Sequence, residues 1–510
     1  MLACGALEDD SIDLAIERAV LLGALNRLEE AKLAFISILK QFPTHFSALN
    51  EFGALLARTG AIAAACRVYS EAIIHHANNP IAHVNLANLL LRATQYQEAR
   101  HHYEVALRLE PDNPQAHQGM GAVLADLGED TAARAHFNKG FKGHAIATLP
   151  YRGAKPPIRV LQLVSSGGGN IPTGLFLDDK VYQTTFIVAD YLKDLASLPS
   201  HDLIVNAIGD ADRCKRALNA ALRIVKRSKQ PVINQPRAVM PTGRASNSQR
   251  LRGLPGVVPA LTVLVKRDLL AGTNGPSAVA QRSFRFPLLL RSPGYHTGRN
   301  FLFVPSVDDL FTAANSLPGE ELLLIEFLDS RGRDGKARKF RVMMIDGRLY
   351  PLHLAISQNW KVHYFTSDMA GSIDLRREER AFLENMPAFI GNKAMAALEA
   401  IQNRMQLDYC GVDFGLNENG DLLLFEANAT MVVTRPDDNE IWDYRRAAVE
   451  QIIEAVDNLL RPVGKYADRH RGPRRGQDNS ALTVAICDAK SAPCHRPRSR
   501  GTCRPQAVVT

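Results

Sequence analysis

Two consecutive stretches decide the fold of the N-terminal part of the chain: FSALNEFGALLARTGAIAAACRVYSEAIIHHANN at residues 46–79 and PIAHVNLANLLLRATQYQEARHHYEVALRLEPDN at residues 80–113. A shift of 34 residues aligns them with each other and with the segments on either side. Positions 34 apart share a size class, first small and then aromatic: Gly53, Ala87 and Gly121, then Phe35, Tyr69, Tyr103 and Phe137. A period of this length predicts helix hairpins that stack to bury their apolar faces.

This pattern resembles the tetratricopeptide repeat, whose closing proline is matched by Pro43 and Pro111. The resemblance implies an all-α solenoid over residues 1–150. The expected repeats are 12–45, 46–79, 80–113 and 114–147. Such a solenoid has a concave groove, so a protein or peptide partner is expected there.

Polar residues on the first helix of each pair are the candidates for that groove: Asn50, Arg58, Asn88 and Arg92. An ordinary solvated helix surface remains the alternative, because isolated polar residues on exposed faces are common.

Length and charge constrain the rest of the chain. A chain of 510 residues exceeds one domain, so about three packed units are expected. The formal net charge of +8 comes from residues 461–510, which hold nine Arg and two Lys against three Asp. The globular part is therefore neutral, and no specific nucleic-acid binding is expected of it.

Cysteine spacing and hydropathy indicate the compartment. The seven Cys form no C-x-x-C pair, and no apolar run reaches the roughly 18 residues of a membrane-spanning helix. A reduced, cytoplasmic protein without a membrane segment is expected.

A second architecture begins after the proline-rich linker at 151–157. Apolar, β-rich runs at 158–164 and 201–208 alternate with helical stretches such as 212–228. This alternation predicts a small parallel-sheet α/β domain over 158–240. The glycine run at 167–169 fits a phosphate cradle or a flexible turn at a strand end, and both interpretations stay open.

The segment CGVDFGLNENGDLLLFEAN, residues 410–428, predicts a β-hairpin with a loop at 417–420. In that register Leu416 faces Asp421 and Asp413 faces Leu424, so Asp413 and Glu426 are diagonal neighbours. The predicted apolar face consists of Val412, Phe414, Leu416, Leu423, Phe425 and Ala427.

The opposite face of this hairpin carries Asp413, Glu426 and Asn428. Two carboxylates and an amide oxygen on one face favour Mg²⁺, because hard oxygen donors suit that ion. An ordinary amphipathic hairpin with a solvated polar face is the alternative.

The hairpin resembles the metal-binding end of ATP-grasp enzymes, of the glutathione synthetase-like or D-alanine ligase-like kind. Over about 158–460 other parts appear in the family's order, which implies an α+β/α/β ATP-grasp domain at 241–462. By this resemblance Asp413, Glu426 and Asn428 bind Mg²⁺ (or Mn²⁺). The implied ATP-binding residues are Arg244, Arg291, Gly294, His296, Gly298, Glu326, Phe327, Leu328, Asp329, Lys339 and Arg341.

The resemblance also implies catalytic roles for Arg291, Arg341 and Lys361. Arg244 and Arg291 stand where the family usually has Lys, which keeps the charge but changes the geometry. His363 is a further candidate cation, with a hydrogen-bonded strand residue as the alternative. The loop 293–298 is expected to exclude water from the nucleotide.

The implied activity is ligation of a small-molecule or peptide carboxylate to an amine or thiol through an acyl phosphate made from ATP. The alternative is a repeat adaptor whose ATP-grasp-like domain senses nucleotide without turnover. Residues 463–510 are predicted to be a basic disordered tail. Its Cys487, Cys494, His495 and Cys503 do not match common zinc-site spacings.

Overall fold

The computed structural model describes residues 4–194, 197–295, 298–362, 364 and 367–461, and it describes side chains from residue 11 onward. The predictions for His296, His363 and the tail at 463–510 lie outside this range. All of the elements below belong to one compact unit of the chain.

The N-terminal part is a stack of helix hairpins. Its helices are α1 Cys4–Ala24, α2 Leu28–Gln41, α3 Phe46–Arg58, α4 Ile62–His75, α5 Pro80–Arg92, α6 Tyr96–Leu109, α7 Pro114–Asp126 and α8 Asp130–Gly140. The pairs α1–α2, α3–α4, α5–α6 and α7–α8 follow the predicted period. The helical-repeat prediction is confirmed.

The small positions of the repeat are small because an aromatic ring occupies the adjacent space. A Cβ on Gly53 would lie 2.7 Å from the Tyr69 ring, and one on Gly121 would lie 2.6 Å from the Phe137 ring. Real Cβ atoms do not approach so closely, so close packing of the two helices requires glycine at these positions.

The tight turn inside each hairpin uses a left-handed residue at the same repeat position. These residues are Asn26 (φ 61°), Gly60 (φ 81°), Thr94 (φ 61°) and Gly128 (φ 83°). Glycine and asparagine tolerate this backbone, whereas a β-branched residue is strained in it. Thr94 is therefore the strained member of the set.

Two histidine pairs also repeat with this period. The Nδ1 atoms of His83 and His102 lie 3.0 Å apart, and those of His117 and His136 lie 2.9 Å apart. The Nε2 atoms of His83 and His117 contact the carbonyl oxygens of Ala77 and Pro111. In each pair, the Nδ1 atom of one neutral imidazole can accept a hydrogen bond from the Nδ1–H group of the other.

A mostly parallel sheet follows the repeats. Its strands are β1 Ile146–Thr148, β2 Ile158–Val164, β3 Tyr182–Val188, β4 Leu203–Asn206 and β5 Val232–Ile233, in the order β1-β3-β2-β4-β5. Only β1, which lies within the segment predicted as solenoid, runs antiparallel to its neighbour. The helix α9 Lys215–Val225 follows β4. Tyr191 packs into the core of the last repeats.

Two further sheets form the remainder. The first has the order β7-β10-β8-β9, with β7 Thr262–Lys266, β8 Leu288–Arg291, β9 Phe301–Val304 and β10 Glu321–Glu326. The second has the order β12-β11-β13-β14-β6, with β6 Val257–Pro259, β11 Ala337–Ile345, β12 Arg348–Ser357, β13 Tyr409–Leu416 and β14 Leu422–Asn428. The helices are α10 Pro236–Val239, α11 Arg244–Leu251, α12 Arg267–Leu270, α13 Gly275–Gln281, α14 Leu310–Ser316, α15 Ile373–Glu384, α16 Met386–Met405 and α17 Arg446–Leu460.

The hairpin of β13 and β14 exists, but its predicted register is wrong. Leu416 pairs with Leu422 rather than with Asp421, because Asn417 closes a longer loop by accepting the Asp421 amide at 2.8 Å. A bulge then shifts the pairing, so Asp413 lies directly opposite Glu426.

The bulge also changes the two faces of the hairpin. Phe425 is 36% exposed and its ring lies beside Gly415 on the cavity side. Leu423 lies opposite Gly415 rather than on the apolar face. Leu422 and Leu424 are buried opposite Leu416 and Phe414 instead.

None of the helices in the described ranges has the length and hydropathy that a bilayer-spanning segment requires. In the same ranges Cys66, Cys214 and Cys410 are free thiols.

Candidate functional site

A cavity of about 510 Å³ is lined by residues of both sheets that follow the parallel sheet, the one of β7–β10 and the one of β6 and β11–β14. Its wall contains every predicted site residue that the structure describes except Gly294. These residues are Arg244, Arg291, Gly298, Glu326, Phe327, Leu328, Asp329, Lys339, Arg341, Lys361, Asp413, Glu426 and Asn428. Residues that are up to about 180 positions apart in the chain therefore meet in one pocket of the size that small-molecule ligands occupy.

A row of ionisable residues crosses four adjacent strands beside this cavity. The strand pairing places His353 of β12 opposite Arg341 of β11, Arg341 opposite Asp413 of β13, and Asp413 opposite Glu426 of β14. Residues that are directly opposite each other point to the same face of a sheet. The Arg341 cation therefore lies between His353 on one side and the carboxylates of Asp413 and Glu426 on the other.

Asp413 is held by two cations. Arg341 donates from Nε and Nη2 to its two carboxylate oxygens at 2.6 and 2.8 Å, and Lys339 Nζ lies 3.3 Å away. Burial alone would raise the pKa of the Asp413 carboxyl, but Arg341 and Lys339 hold it below its usual value. Burial and the Arg341 charge keep the pKa of His353 well below its usual value, so His353 is neutral at pH 7.

Glu426 is held in a similar way from the other side. Arg244, the first residue of α11, donates from Nη2 to Glu426 Oε1 at 2.8 Å. Asn428 Nδ2 donates to the same oxygen at 2.7 Å, and Asn428 Oδ1 accepts from the Thr430 amide. Asp212 accepts the Arg244 backbone amide at 2.9 Å. The three predicted metal ligands thus meet, and each makes contacts within the protein.

Arg291 differs from the other arginines of the cavity. Arg291 is 9% exposed. Its Nη2 donates to the Tyr295 carbonyl oxygen, and its guanidinium lies 5.3 Å from the centroid of the Phe301 ring. Among the described residues its Nε has no hydrogen-bond partner and no carboxylate forms an ion pair with it. Burial and then the charge of Arg244 lower its pKa to about 10. The charges of Glu426, Asp210 and Asp212 act in the opposite direction and raise this pKa. Arg291 is therefore a buried cation that forms no salt bridge with a described residue, although carboxylates lie nearby.

The end of β10 forms another part of the wall. The Glu326 amide donates to the Leu261 carbonyl oxygen at 2.8 Å, and Glu326 Oε2 accepts the Leu261 amide at 3.0 Å. Asp329, predicted near the ribose, forms a salt bridge with Arg331 at 2.5 Å. Lys361 Nζ donates to the Gly298 carbonyl oxygen.

Several wall residues were not predicted as site residues, notably Asp210, Asp212, Phe301 and Trp360. The Trp360 ring lies 5.5 Å from Phe301 and 6.3 Å from Phe327, centroid to centroid, which gives one side of the cavity an aromatic surface. Asp210 follows the third parallel strand in sequence, and polar residues at strand ends were the available signal for it.

The predicted groove residues lie on the repeat helices, where two of them make internal contacts. Asn50 Oδ1 accepts from Asn85 at 2.8 Å, and Asn88 Oδ1 accepts the Tyr103 hydroxyl at 2.6 Å. Arg58 and Arg92 are exposed.

Comparison with known proteins supports the repeats. The family model "Tetratricopeptide repeat" matches residues 16–80 and 84–141. A search of curated proteins returns no match.

Solved structures similar to this part include MamA from Desulfovibrio magneticus RS-1, at 21% identity, with 26% of this chain and 74% of that chain covered and a TM-score of 0.24. A tetratricopeptide repeat protein from Parabacteroides merdae is 20% identical, with 26% and 54% covered and a TM-score of 0.25. A thermophilic one from Thermus thermophilus is 20% identical, with 26% and 73% covered and a TM-score of 0.24. By the family-model match, the N-terminal region of this chain consists of tetratricopeptide repeats, a class of repeat that generally binds protein partners.

Proposed function

We propose that residues 241–461 form an ATP-grasp type nucleotide-binding domain. In this proposal the chain is an ATP-dependent ligase that joins a carboxylate to an amine or thiol through an acyl phosphate. The tetratricopeptide repeats recruit a protein or peptide, and the cavity lined by the two later sheets takes the nucleotide.

The observation that carries the proposal is the state of Arg291. A buried guanidinium without an anionic partner is energetically unfavourable and is expected where a ligand supplies the anion. A polyphosphate supplies that charge, and Arg binds phosphate oxygens through two parallel hydrogen bonds. Lys339, Arg341 and Arg244 also line the cavity, so further cations are available to a phosphate chain.

The donors fit a hard divalent cation. Asp413 and Glu426 lie opposite each other on adjacent strands, and Asn428 follows two residues later on the cavity wall. Within the described ranges no three His, Cys, Asp or Glu side chains form a group that could hold a metal. In this proposal the Asn428 amide oxygen is the third donor beside the two carboxylates. Mg²⁺ or Mn²⁺ bound there would neutralise charge on the phosphates of ATP.

The residues of the chain then have distinct roles. Arg291 and Arg341 bind and orient the phosphates. Lys361, whose Nζ lies 5.9 Å from the centroid of the same Phe301 ring that Arg291 faces, supplies further positive charge beside them. Asp413 keeps Arg341 in place through its bidentate contact. The aromatic surface of Phe327 and Trp360 excludes water from part of the cavity. Positioning and charge neutralisation are the main contributions of a protein to phosphoryl transfer.

A specific observation favours a second candidate, a repeat adaptor whose nucleotide-binding domain does not turn over. Both carboxylates of the proposed metal site are paired with arginines, Asp413 with Arg341 and Glu426 with Arg244. A metal has to displace or share these contacts. Arginine at positions 244 and 291 also alters the geometry that lysine gives to phosphate contacts.

A thermal-shift titration with ATP, with and without Mg²⁺, tests nucleotide binding without knowledge of the substrate. A ligand at 100 times its Kd stabilises the folded state by about 2.7 kcal/mol, so a clear rise in melting temperature is expected. Glu426→Gln should remove the Mg²⁺-dependent part of that rise. Glu450→Gln, which disrupts an exposed ion pair with Arg435, is the matched control.

Release of ADP or phosphate in the presence of candidate acids and amines distinguishes the two functions. Turnover that Glu426→Gln abolishes supports the ligase. Binding without turnover, with partner capture through the repeats, supports the adaptor. The absence of any ATP-dependent stabilisation in the wild-type protein would contradict both.

A further inference from the structure

The repeat region makes direct contact with a glycine loop that borders the cavity. Arg213, which lies just before α9, bridges two separate parts of the chain. Its Nη2 lies 2.8 Å from Asp126 Oδ1 at the end of α7, and its Nη1 donates to the Gly294 carbonyl oxygen at 3.2 Å. The Arg213 and Asp126 side chains are only 20% and 22% exposed. Water therefore screens this ion pair less than it screens a surface pair.

A second contact joins the repeats to the other described arm of the loop. The Arg299 guanidinium lies over the rings of Tyr96 and Tyr295, at 5.2 and 5.5 Å from their centroids. Arg299 Nη1 also donates to the Tyr96 hydroxyl. Tyr96 is the first residue of α6, so two consecutive repeats hold the loop from the same side.

The loop is in turn connected to the cavity. The Tyr295 carbonyl oxygen accepts from Arg291, and Gly298 lines the cavity and accepts from Lys361. A continuous series of contacts therefore runs from Asp126 through Arg213 and Gly294 to Tyr295 and Arg291. Each step is a hydrogen bond, an ion pair or a covalent neighbour.

We infer that Arg213 and Arg299 are positioning residues through which the tetratricopeptide repeats set the placement of Arg291 in the cavity. A partner that shifts the α6 and α7 ends will change the affinity of the cavity for its anionic ligand. By thermodynamic linkage, the ligand will change the affinity for the partner by the same factor. The nucleotide part of this inference rests on the proposed function, whereas the loop contact does not.

Hydrogen exchange of the full chain tests the contact without any ligand. Asp126→Ala removes the carboxylate that binds Arg213 and leaves a good helix former. The backbone amides of Ser292, Gly294, Tyr295 and 298–300 should exchange roughly threefold to tenfold faster, as expected for loss of one partly buried ion pair. Glu129→Gln is the matched control, because it disrupts a nearby pair with Arg100 that does not touch the loop.

ATP affinity of the same variants tests the coupling. Asp126→Ala should weaken binding by a similar factor, about threefold to tenfold, and Glu129→Gln should leave it unchanged. In the wild-type protein, ATP should slow exchange in the turn at 126–130. If Asp126→Ala unfolds the repeats, Arg299→Met is the alternative variant, because it removes the contact between the loop and Tyr96 without changing a repeat residue. It should likewise show faster loop exchange and weaker ATP binding.

Equal exchange of the loop in Asp126→Ala and Glu129→Gln would overturn the inference. Faster loop exchange in Asp126→Ala without a change in ATP affinity would show that the repeats contact the loop but do not influence ligand binding in the cavity. That result would overturn the proposed coupling. If wild-type protein binds no ATP while Asp126→Ala still accelerates loop exchange, the proposed function fails and the positioning contact stands.

Discussion

Replacing Arg291 by methionine should stabilise the ligand-free protein and abolish nucleotide binding. Arg445, which is buried like Arg291, forms an ion pair with Glu379, and the partly buried Arg341 forms one with Asp413. Arg291 has only the Tyr295 carbonyl oxygen and the face of Phe301 as partners among the residues described. A methionine of similar length fills the same volume without a charge.

The expected gain follows from the pKa of Arg291. Burial and Arg244 lower it to about 10, and a shift of that size disfavours the charged form by about 3 kcal/mol. The substitution loses one hydrogen bond and one cation–π contact, each worth about 1 kcal/mol or less. The net change is a gain of about 1–2 kcal/mol, or roughly 2–8 °C in the melting temperature of this region.

Urea unfolding and thermal melting of the ligand-free protein measure this gain, and ATP titration measures the loss of binding. Arg341→Met is the contrasting variant, because it leaves the buried Asp413 carboxylate without its bidentate partner. Loss of one member of a buried pair costs about 3–5 kcal/mol. The two substitutions should therefore change stability in opposite directions.

A destabilised Arg291→Met protein would refute the reasoning. It would mean that Arg291 is a structural cation whose present contacts suffice, and that it needs no anionic ligand. Retention of full ATP-dependent stabilisation in Arg291→Met would contradict its role in phosphate binding.

Two further predictions concern the repeats. Thr94→Gly should stabilise the protein against urea by about 1 kcal/mol, because a β-branched residue is strained at a positive φ, and Gly60→Thr should destabilise it at the equivalent turn. Burial lowers the pKa of His102 to about 4 and also lowers the pKa of His83 from the usual 6.5. Between about pH 6.5 and pH 4 the unfolded chain therefore binds protons more readily than the folded chain does. The stability of the repeats should therefore be constant above about pH 6.5 and fall as the pH drops towards 4. His102→Gln should flatten that fall in a series of urea titrations, and an unchanged slope would contradict the assignment.

The repeat period was readable in the sequence because each hairpin imposes local requirements. Gly53 and Gly121 must be small where Tyr69 and Phe137 pack, and such steric demands recur at fixed spacing. The strand and turn order of the later region was readable for a similar reason, since hydrophobic alternation and loop residues are local signals. The convergence of Asp413, Glu426 and Asn428 was predicted from this alternation.

The register of that hairpin was not readable, because a bulge at Phe425 depends on long-range packing against the neighbouring strands. The ion pairs of Arg244 with Glu426 and of Arg341 with Asp413 likewise depend on contacts between distant segments. The same holds for the lack of an ion pair between Arg291 and any residue in the described ranges. The sequence by its periodicity determined the helical repeats and the order of the strands, because those follow from the steric and hydrophobic demands of neighbouring residues. The three-dimensional fold sets which charges neutralise each other and which buried cation forms no ion pair with a described residue, because burial and distance, and not residue type, set those energies.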